Sequence, residues 1–437
     1  MAHSPKERRK PLSEEAAPSP LGRRFKYLWA SFALSGSGDG FAYGAVPLLA
    51  VVVDRRYLAV ASVAAADSLP WLLLALPAGA FADRFERGRV MAVANTARGV
   101  LLAVMALLVG FHRMNLALLI VAVLANGAAR AVYYSAYQAT LPELVPPRSL
   151  AQANGILNGT ESATEHLAGP IFGAIAFAAA RALPFAVDAS AVGLSGISLF
   201  GLRTRRPDPA AARGSPLDGA RWLMRDKSLR LLVGFIAALA GLQGLAAGVL
   251  VLVAIKDWGV HPAAYGAFLA AGAAGNVPGA LLADRLASKI GNVRTLVYAA
   301  LLSGLAYLAM AASHTWLLAG AAFILVGGSV AAGSVIALSL RQLLTPDEVM
   351  GRVGAAWRGI VWGAAPVGAL AAGGLALLGG NRLPLILAGS AQCAVALLLA
   401  KPLRRHVGAA MPIAGTPAPT LATSGPADAG DPGPADG

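Results

Sequence analysis

The longest stretches without a formal charge decide what this chain can fold into. Leu231 to Ile255, His261 to Ala283, Thr295 to Leu340, Gly359 to Asn381 and Leu383 to Ala400 contain no Asp, Glu, Lys or Arg. Roughly 20 apolar residues cross a bilayer as a helix, and a helix satisfies its own backbone where no water can. Only 13% of the residues are charged and 57% are hydrophobic, against about 25% charged in soluble domains. This excludes a water-soluble enzyme and a disordered or fibrous chain, and predicts an all-α membrane protein.

The pattern predicts twelve transmembrane helices, at about 27–53, 57–82, 90–111, 115–138, 150–180, 183–202, 229–255, 260–283, 292–312, 315–340, 353–379 and 383–402. They divide six and six about one charged connection. The expected organisation is a basic tail (1–26), an N-terminal six-helix bundle (27–202), a central loop (203–228), a C-terminal six-helix bundle (229–402) and a disordered tail (403–437). With the N-terminus inside, the cytoplasmic segments hold 27 of the 36 Lys and Arg and the opposite face holds 6. That asymmetry places both termini in the cytoplasm of a plasma (inner) membrane protein. It also accounts for the net charge of +14 without nucleic acid. The polar start does not read as a removable signal peptide, and the single cysteine, Cys393, excludes an intrachain disulfide.

The halves repeat. Leu76-Pro77-Ala78-Gly79-Ala80-Phe81-Ala82-Asp83-Arg84 ends the second span, and Val277-Pro278-Gly279-Ala280-Leu281-Leu282-Ala283-Asp284-Arg285 ends the eighth, so that Pro, Ala, Asp and Arg coincide 201 residues apart. Two six-helix halves in parallel orientation are an architecture of alternating-access transporters.

Charged side chains inside a span cost at least about 2.5–3.5 kcal/mol near the centre, so each needs a counter-charge or an aqueous cavity. Asp39, Asp67, Arg98, Arg130, Glu161, Glu165 and Asp188 lie in the N-terminal half, and Arg358 alone in the other. Asp39 falls near the middle of span one among Gly36, Gly38 and Gly40. It reads either as a protonation switch or as a structural carboxylate that caps a helix break or pairs permanently with an arginine; on the first reading Asp39→Asn folds normally and loses proton-driven transport. Glu161 and Glu165, four apart, share a helical face; with Asp39 and Arg130 they form the expected proton-coupling set, both reading as cavity-lining, Glu165 in contact with cationic substrates, or else as partners of buried arginines. Arg130 cannot deprotonate, so its use is to control a carboxylate, Asp39 or a span-five Glu, or to hold an anion. Asp67, Arg98 and Asp188 read as nearer span ends. Asn126, Tyr133, Phe172, Gln243 and Trp362 are candidates to line an amphipathic substrate cavity, although aromatic residues at helical spacing also simply pack. No phosphate-binding loop, paired-His metal helix or nucleophile elbow occurs, so no cofactor or metal is expected and the chain does not read as an enzyme.

Across about 25–403 the chain resembles the major facilitator superfamily. The carrier is the loop Gly79-Ala80-Phe81-Ala82-Asp83-Arg84-Phe85-Glu86-Arg87-Gly88-Arg89, with Glu86 and Gly88 departing from the usual pattern, and Gly169-Pro170-Ile171-Phe172-Gly173-Ala174 fits the antiporter element of span five. Trp29 followed by Ser35-Gly36-Ser37-Gly38-Asp39, and Leu141-Pro142-Glu143-Leu144-Val145 with Ala153-Asn154-Gly155, are similar to the enterobactin-exporter-like, drug–proton antiporter branch. The resemblance implies proton-coupled efflux of a small amphipathic molecule by a monomer whose partners are substrate, protons and the bilayer. It further implies a conformational switch at Gly79, Asp83, Arg84 and Arg87. Asp83 would meet the start of span eleven near Arg352 when the cytoplasmic side is closed, and by the repeat Asp284 and Arg285 would do the same near Asn154-Gly155. An importer or uniporter of the same fold is the alternative; a membrane sensor or enzyme fits less well.

Overall fold

The computed structural model describes residues 21–82, 85–146, 149–202, 204, 216–346 and 349–408, and no strand occurs among them. The helices are α1 (Arg23–Val53), α2 (Tyr57–Ala82), α3 (Arg87–Gly110), α4 (Leu116–Leu144), α5 (Leu150–Glu161), α6 (Gly169–Ala179), α7 (Leu183–Leu199), α8 (Pro216–Arg225), α9 (Lys227–Lys256), α10 (Pro262–Ile290), α11 (Asn292–Ala312), α12 (Trp316–Leu344), α13 (Met350–Gly379) and α14 (Leu383–His406). Ten are long and apolar enough to cross a membrane, and α7 is a shorter apolar helix. The remaining crossing is broken: α5 and α6 join through a π-helical segment, Ser162–Ala168. Pro170 supplies the reason. It has no N–H to bond one turn back and its ring crowds that turn, so the helix widens before it, and the Gly169 N–H reaches Thr164 O, five residues back. Twelve crossings result.

The repeat is visible in how helices begin. Asn115 caps α4 by accepting from Leu118 N at 2.9 Å, and Thr315 caps α12 by accepting from Leu318 N at 3.4 Å. These caps stand 200 residues apart, as do the starts of α5 and α13 and of α7 and α14. One departure concerns the central connection, read from sequence as a loop. It contains α8, which lies on α13 and α9, buries Leu223 completely and brings Gly219 against the Arg352 carbonyl, where a Cβ would not fit.

The start of α1 at Arg23 and the end of α14 at His406, twelve crossings apart, emerge on one face of the bundle, the terminal face; the opposite side is the far face. At the far face a single apolar core joins the two halves, with Leu48, Val60, Leu119 and Phe177 packed together with Val249, Tyr265, Phe268 and Ala372. At the terminal face each half keeps its own core, around Phe25, Met91 and Tyr137 in one and Phe235, Leu296 and Trp357 in the other. The join is made by α2 against α13 and by α6 against α10. Gly373 there faces Leu58 and Ala61, Gly266 faces the Pro170 carbonyl, and Lys256 Nζ sits 5.1 Å from the centre of the Tyr57 ring.

Candidate functional site

The site begins with a stripe of glycines. Gly36, Gly40 and Gly44 repeat at four-residue intervals on α1, hence along one face. A Cβ on Gly40 would collide with the Thr164 carbonyl and come within 2.8 Å of Gly169 Cα, and one on Gly44 would strike Pro170. From the other side, Gly169 faces Gly40, and Gly173 faces the backbone of Phe41. Helices approach this closely in a membrane only where small residues remove the side-chain layer. The glycines therefore bring α1 backbone-to-backbone onto span five. They do not loosen α1, which runs unbroken past Asp39, so the expectation of a helix break there is corrected.

This approach, with α3, α4 and α7 packed alongside, gathers the intramembrane charges. Asp39, 9% exposed, accepts a hydrogen bond from Arg98 Nη2 on α3. Arg98 is fully buried. Its Nε donates to Asn126 Oδ1 at 3.0 Å and its Nη1 to Asn95 Oδ1 at 3.1 Å, while Asn95 Nδ2 is anchored on Ser195 Oγ at 3.1 Å and Ser35 Oγ at 3.3 Å. Arg130 donates through Nη2 to Glu165 Oε1 in the π-helical segment and stands 3.8 Å from Asp39 Oδ2. Two guanidiniums and two carboxylates thus alternate as Arg98, Asp39, Arg130 and Glu165, on four different crossings.

Two cavities adjoin this chain of charges, and a third lies apart from it. The smallest, about 20 Å³, is lined by Asp39, Arg130, Tyr133, Tyr134, Glu161 and Glu165; that is room for a single water, which needs about 10–15 Å³. A second, of about 310 Å³, opens from Asp39, Asp67, Asn126 and Arg130 toward Tyr43, Leu250 and Tyr265 on the far-face side. A third, of about 400 Å³, lies mainly in the C-terminal half, with Gln243, Ser303, Ser329, Trp362 and Gln392 on its walls. The two larger volumes fall in the range of small-molecule sites, about 300–1,000 Å³.

Several expectations change. Arg98 and Asp188 read as near span ends, yet Arg98 is the principal counter-charge of Asp39, and Asp188 is fully buried beside Gly38. The error is one of depth: α7 has only 17 residues, so its sixth residue already sits level with the middle of α1. Glu165 is 7% exposed and bound to Arg130, which removes it as an open contact for cationic substrates; Glu161 keeps partial exposure. Asp67 is the exposed carboxylate on the second cavity, without a hydrogen-bond or ion-pair partner.

Among the cavity candidates, Gln243 and Trp362 line the third cavity and Asn126 the second. Tyr133 borders only the smallest and stacks on Tyr137. Phe172 lines none of the three; it is 56% exposed and stacked on Phe41, because the stripe of Gly169, Pro170 and Gly173 takes the inner face of that segment. Trp71 bridges the halves, edge-on to Tyr134 and to Trp362 with ring centres 5.6 and 5.0 Å apart.

Of the switch residues, Asp83 and Arg84 lie outside the described residues, and of Gly79 only the α2 backbone is described. Arg87 pairs with Glu143 and donates to the Ala139 carbonyl at 3.0 Å. The loop's departures have structural reasons. Glu86 Oε1 accepts from Thr204 N at 3.4 Å, and Gly88 donates to Thr204 Oγ1 at 2.9 Å where any Cβ would hit the Leu202 carbonyl. Asp284, Arg285, Asn154 and Gly155 are all exposed.

A sequence model of transmembrane secretion effectors matches residues 16–430. The enterobactin exporter EntS of Escherichia coli is 27% identical over 303 residues, spanning 68% of this chain and 72% of that protein, and EntS of Citrobacter koseri is 27% identical over 300 residues with the same coverage. Among solved structures, the nucleoside transporter NupG superposes with a TM-score of 0.70 at 12% identity, covering 88% of this chain and all of that one. A bacterial homologue of the iron transporter ferroportin, in an inward-facing state, gives 0.65 at 19% identity, covering 88% of this chain and 98% of the other.

Proposed function

The chain belongs to the transmembrane secretion effector family, a group of major facilitator transporters, and on that premise we propose that it is a secondary active exporter. It moves a small amphipathic molecule, a drug, antibiotic or siderophore, outward by alternating access against inward proton flow. The observation that carries this reading is the asymmetric core: one apolar seal across both halves at the far face, and separate cores at the terminal face. The terminal face is cytoplasmic in this reading, since it carries most of the Lys and Arg, and the membrane is the bacterial inner membrane. A solute then enters the cavities from inside, and closure of the terminal face with opening of the seal releases it outside. The Asp83 and Asp284 contacts with the starts of spans eleven and five belong to that closed state.

Protons act on the Asp39, Arg130, Glu165 chain. Glu161, half-buried on the terminal side of the water-sized cavity, relays them. Enterobactin export by the relatives makes a siderophore the first substrate to try. Flux in proteoliposomes with an imposed pH gradient, using enterobactin and a cationic dye, tests the reading. Acid outside should drive solute out of the compartment facing the terminal face; solute accumulation in that compartment instead identifies an importer, and indifference to the gradient a uniporter.

Asp67 sets preference for cations. A hydrogen bond to a charged group contributes about 1.5–3 kcal/mol, so Asp67→Asn should weaken binding of a cationic dye about tenfold or more and leave a neutral analogue unchanged, as read by equilibrium dialysis. Equal loss for both compounds would assign Asp67 to packing.

A further inference from the structure

One buried carboxyl is left out of the chain of charges. Asp188 on α7 is fully buried, and neither of its oxygens has a hydrogen-bond partner. Its carboxyl rests against Gly38, where a Cβ would come within 2.5 Å of Asp188 Oδ1. Behind it a Cβ on Gly99 would come within 2.7 Å of Gly193 Cα and 3.1 Å of the Ala189 carbonyl, so α3 packs backbone-close against α7. The charged groups that face it are Asp39 from α1, Arg98 from α3, Arg130 from α4 and Glu165 from the π-helical segment. α6, which also touches α7, carries no titratable side chain.

Those four charges already cancel. A fifth, negative charge at Asp188 would sit in a dry interior with no donor, and an isolated carboxylate there is far costlier than a neutral carboxyl. Arg98, however, presents five N–H groups, of which three are used by Asp39, Asn95 and Asn126. The unused donors belong to a group that can neutralise Asp188 once its proton leaves.

We propose that Asp188 is a proton-binding residue of the transport cycle. It holds an occluded proton while the terminal face is open, and on releasing that proton it competes with Asp39 for Arg98. No route to water is open from Asp188 in this conformation, so its proton exchanges only when the α1, α3 and α7 contacts loosen. When Arg98 turns to Asp188, the Asp39 carboxylate is left to Arg130, 3.8 Å away, and the tie between α1 and α3 passes to α3 and α7. This deepens the proton-coupled export proposed above and rests on it only for its transport readout.

The direct test is infrared spectroscopy of the purified protein at neutral pH. The carbonyl stretch of a protonated carboxyl should be present in the wild type, exchange slowly in heavy water, and be lost in Asp188→Asn while persisting in Glu161→Gln. Asn is neutral and of the same shape, so the variant should fold; Asp188→Glu should restore a shifted band. A band unchanged in Asp188→Asn, or exchanging at once, overturns the proposal. In proteoliposomes Asp188→Asn should keep substrate counterflow and lose at least tenfold of the flux driven by a pH gradient; retention of that flux overturns a role in coupling. If the wild type shows no proton-driven flux while the Asp188 band is present, proton-coupled export fails and the occluded proton stands.

Discussion

Asp39→Asn should lower the stability of the protein by about 3–5 kcal/mol, the cost of removing one member of a buried ion pair, and abolish transport. Asn can still accept a hydrogen bond, but it leaves the fully buried Arg98 with a charge that it cannot release and that is met only if Asp188 gives up its proton. Arg98→Met should cost less, because Asp39 keeps Arg130 at 3.8 Å and can take up a proton. Thermal unfolding in detergent distinguishes the two, and the double variant should recover most of the lost stability without recovering transport. A well-folded Asp39→Asn protein would show that the Arg98 charge is met elsewhere and would return Asp39 to the simple role of a replaceable proton carrier.

The second large effect belongs to a single methyl group. Gly40→Ala should destabilise by about 1–3 kcal/mol or more, the usual range for overpacking, because the new carbon meets the Thr164 carbonyl and the Gly169 and Glu165 Cα atoms. These are backbone atoms and cannot step aside by changing rotamer. The shift would also part Arg130 and Glu165 from Asp39, so transport should fall further than stability alone explains. Gly359→Ala is the control: its Cβ meets nothing within 4 Å, and alanine in a helix interior should gain roughly 0.5–1 kcal/mol over glycine. Equal melting temperatures for wild type and Gly40→Ala would remove the close approach as the organiser of the site.

The sequence reveals the crossings and their repeat because hydrocarbon thickness and the exclusion of charge act on every residue of a span. The duplicated Pro, Ala, Asp and Arg at the ends of spans two and eight place the halves, and Arg130 is legible as the counter-charge of Asp39 or a span-five Glu. Arg98 and Asp188 are harder to read. Their depth depends on where short α7 starts and on how α3 lies against it, and neither is a property of one helix. Gly99, directly after Arg98, and Gly193, five residues after Asp188, mark where the two helices approach, but only the structure pairs them. The break in span five was signalled by Pro170, eight residues after Ser162 where the wider turn begins, but a continuous apolar run hides it. The water-sized cavity has no sequence signal, since three crossings, the first, fourth and fifth, must meet to enclose it.

The third cavity is walled mostly by small uncharged side chains of the C-terminal half, while the buried ion pairs lie in the other half. Selection can therefore act on the two almost independently. Changes at Ser303, Ser329, Gly333 or Gln392 alter the shape and hydrogen-bonding of this cavity, the binding space in the proposed export, without disturbing a buried ion pair, so they carry none of its penalty. A lineage of such proteins can drift from one class of compound to another through many single substitutions in α11, α12 and α14, each tolerated, while the ionic half stays fixed. Breadth of substrate range across descendants, with narrow tolerance in α1, α3 and α4, is the evolutionary signature this partition leaves.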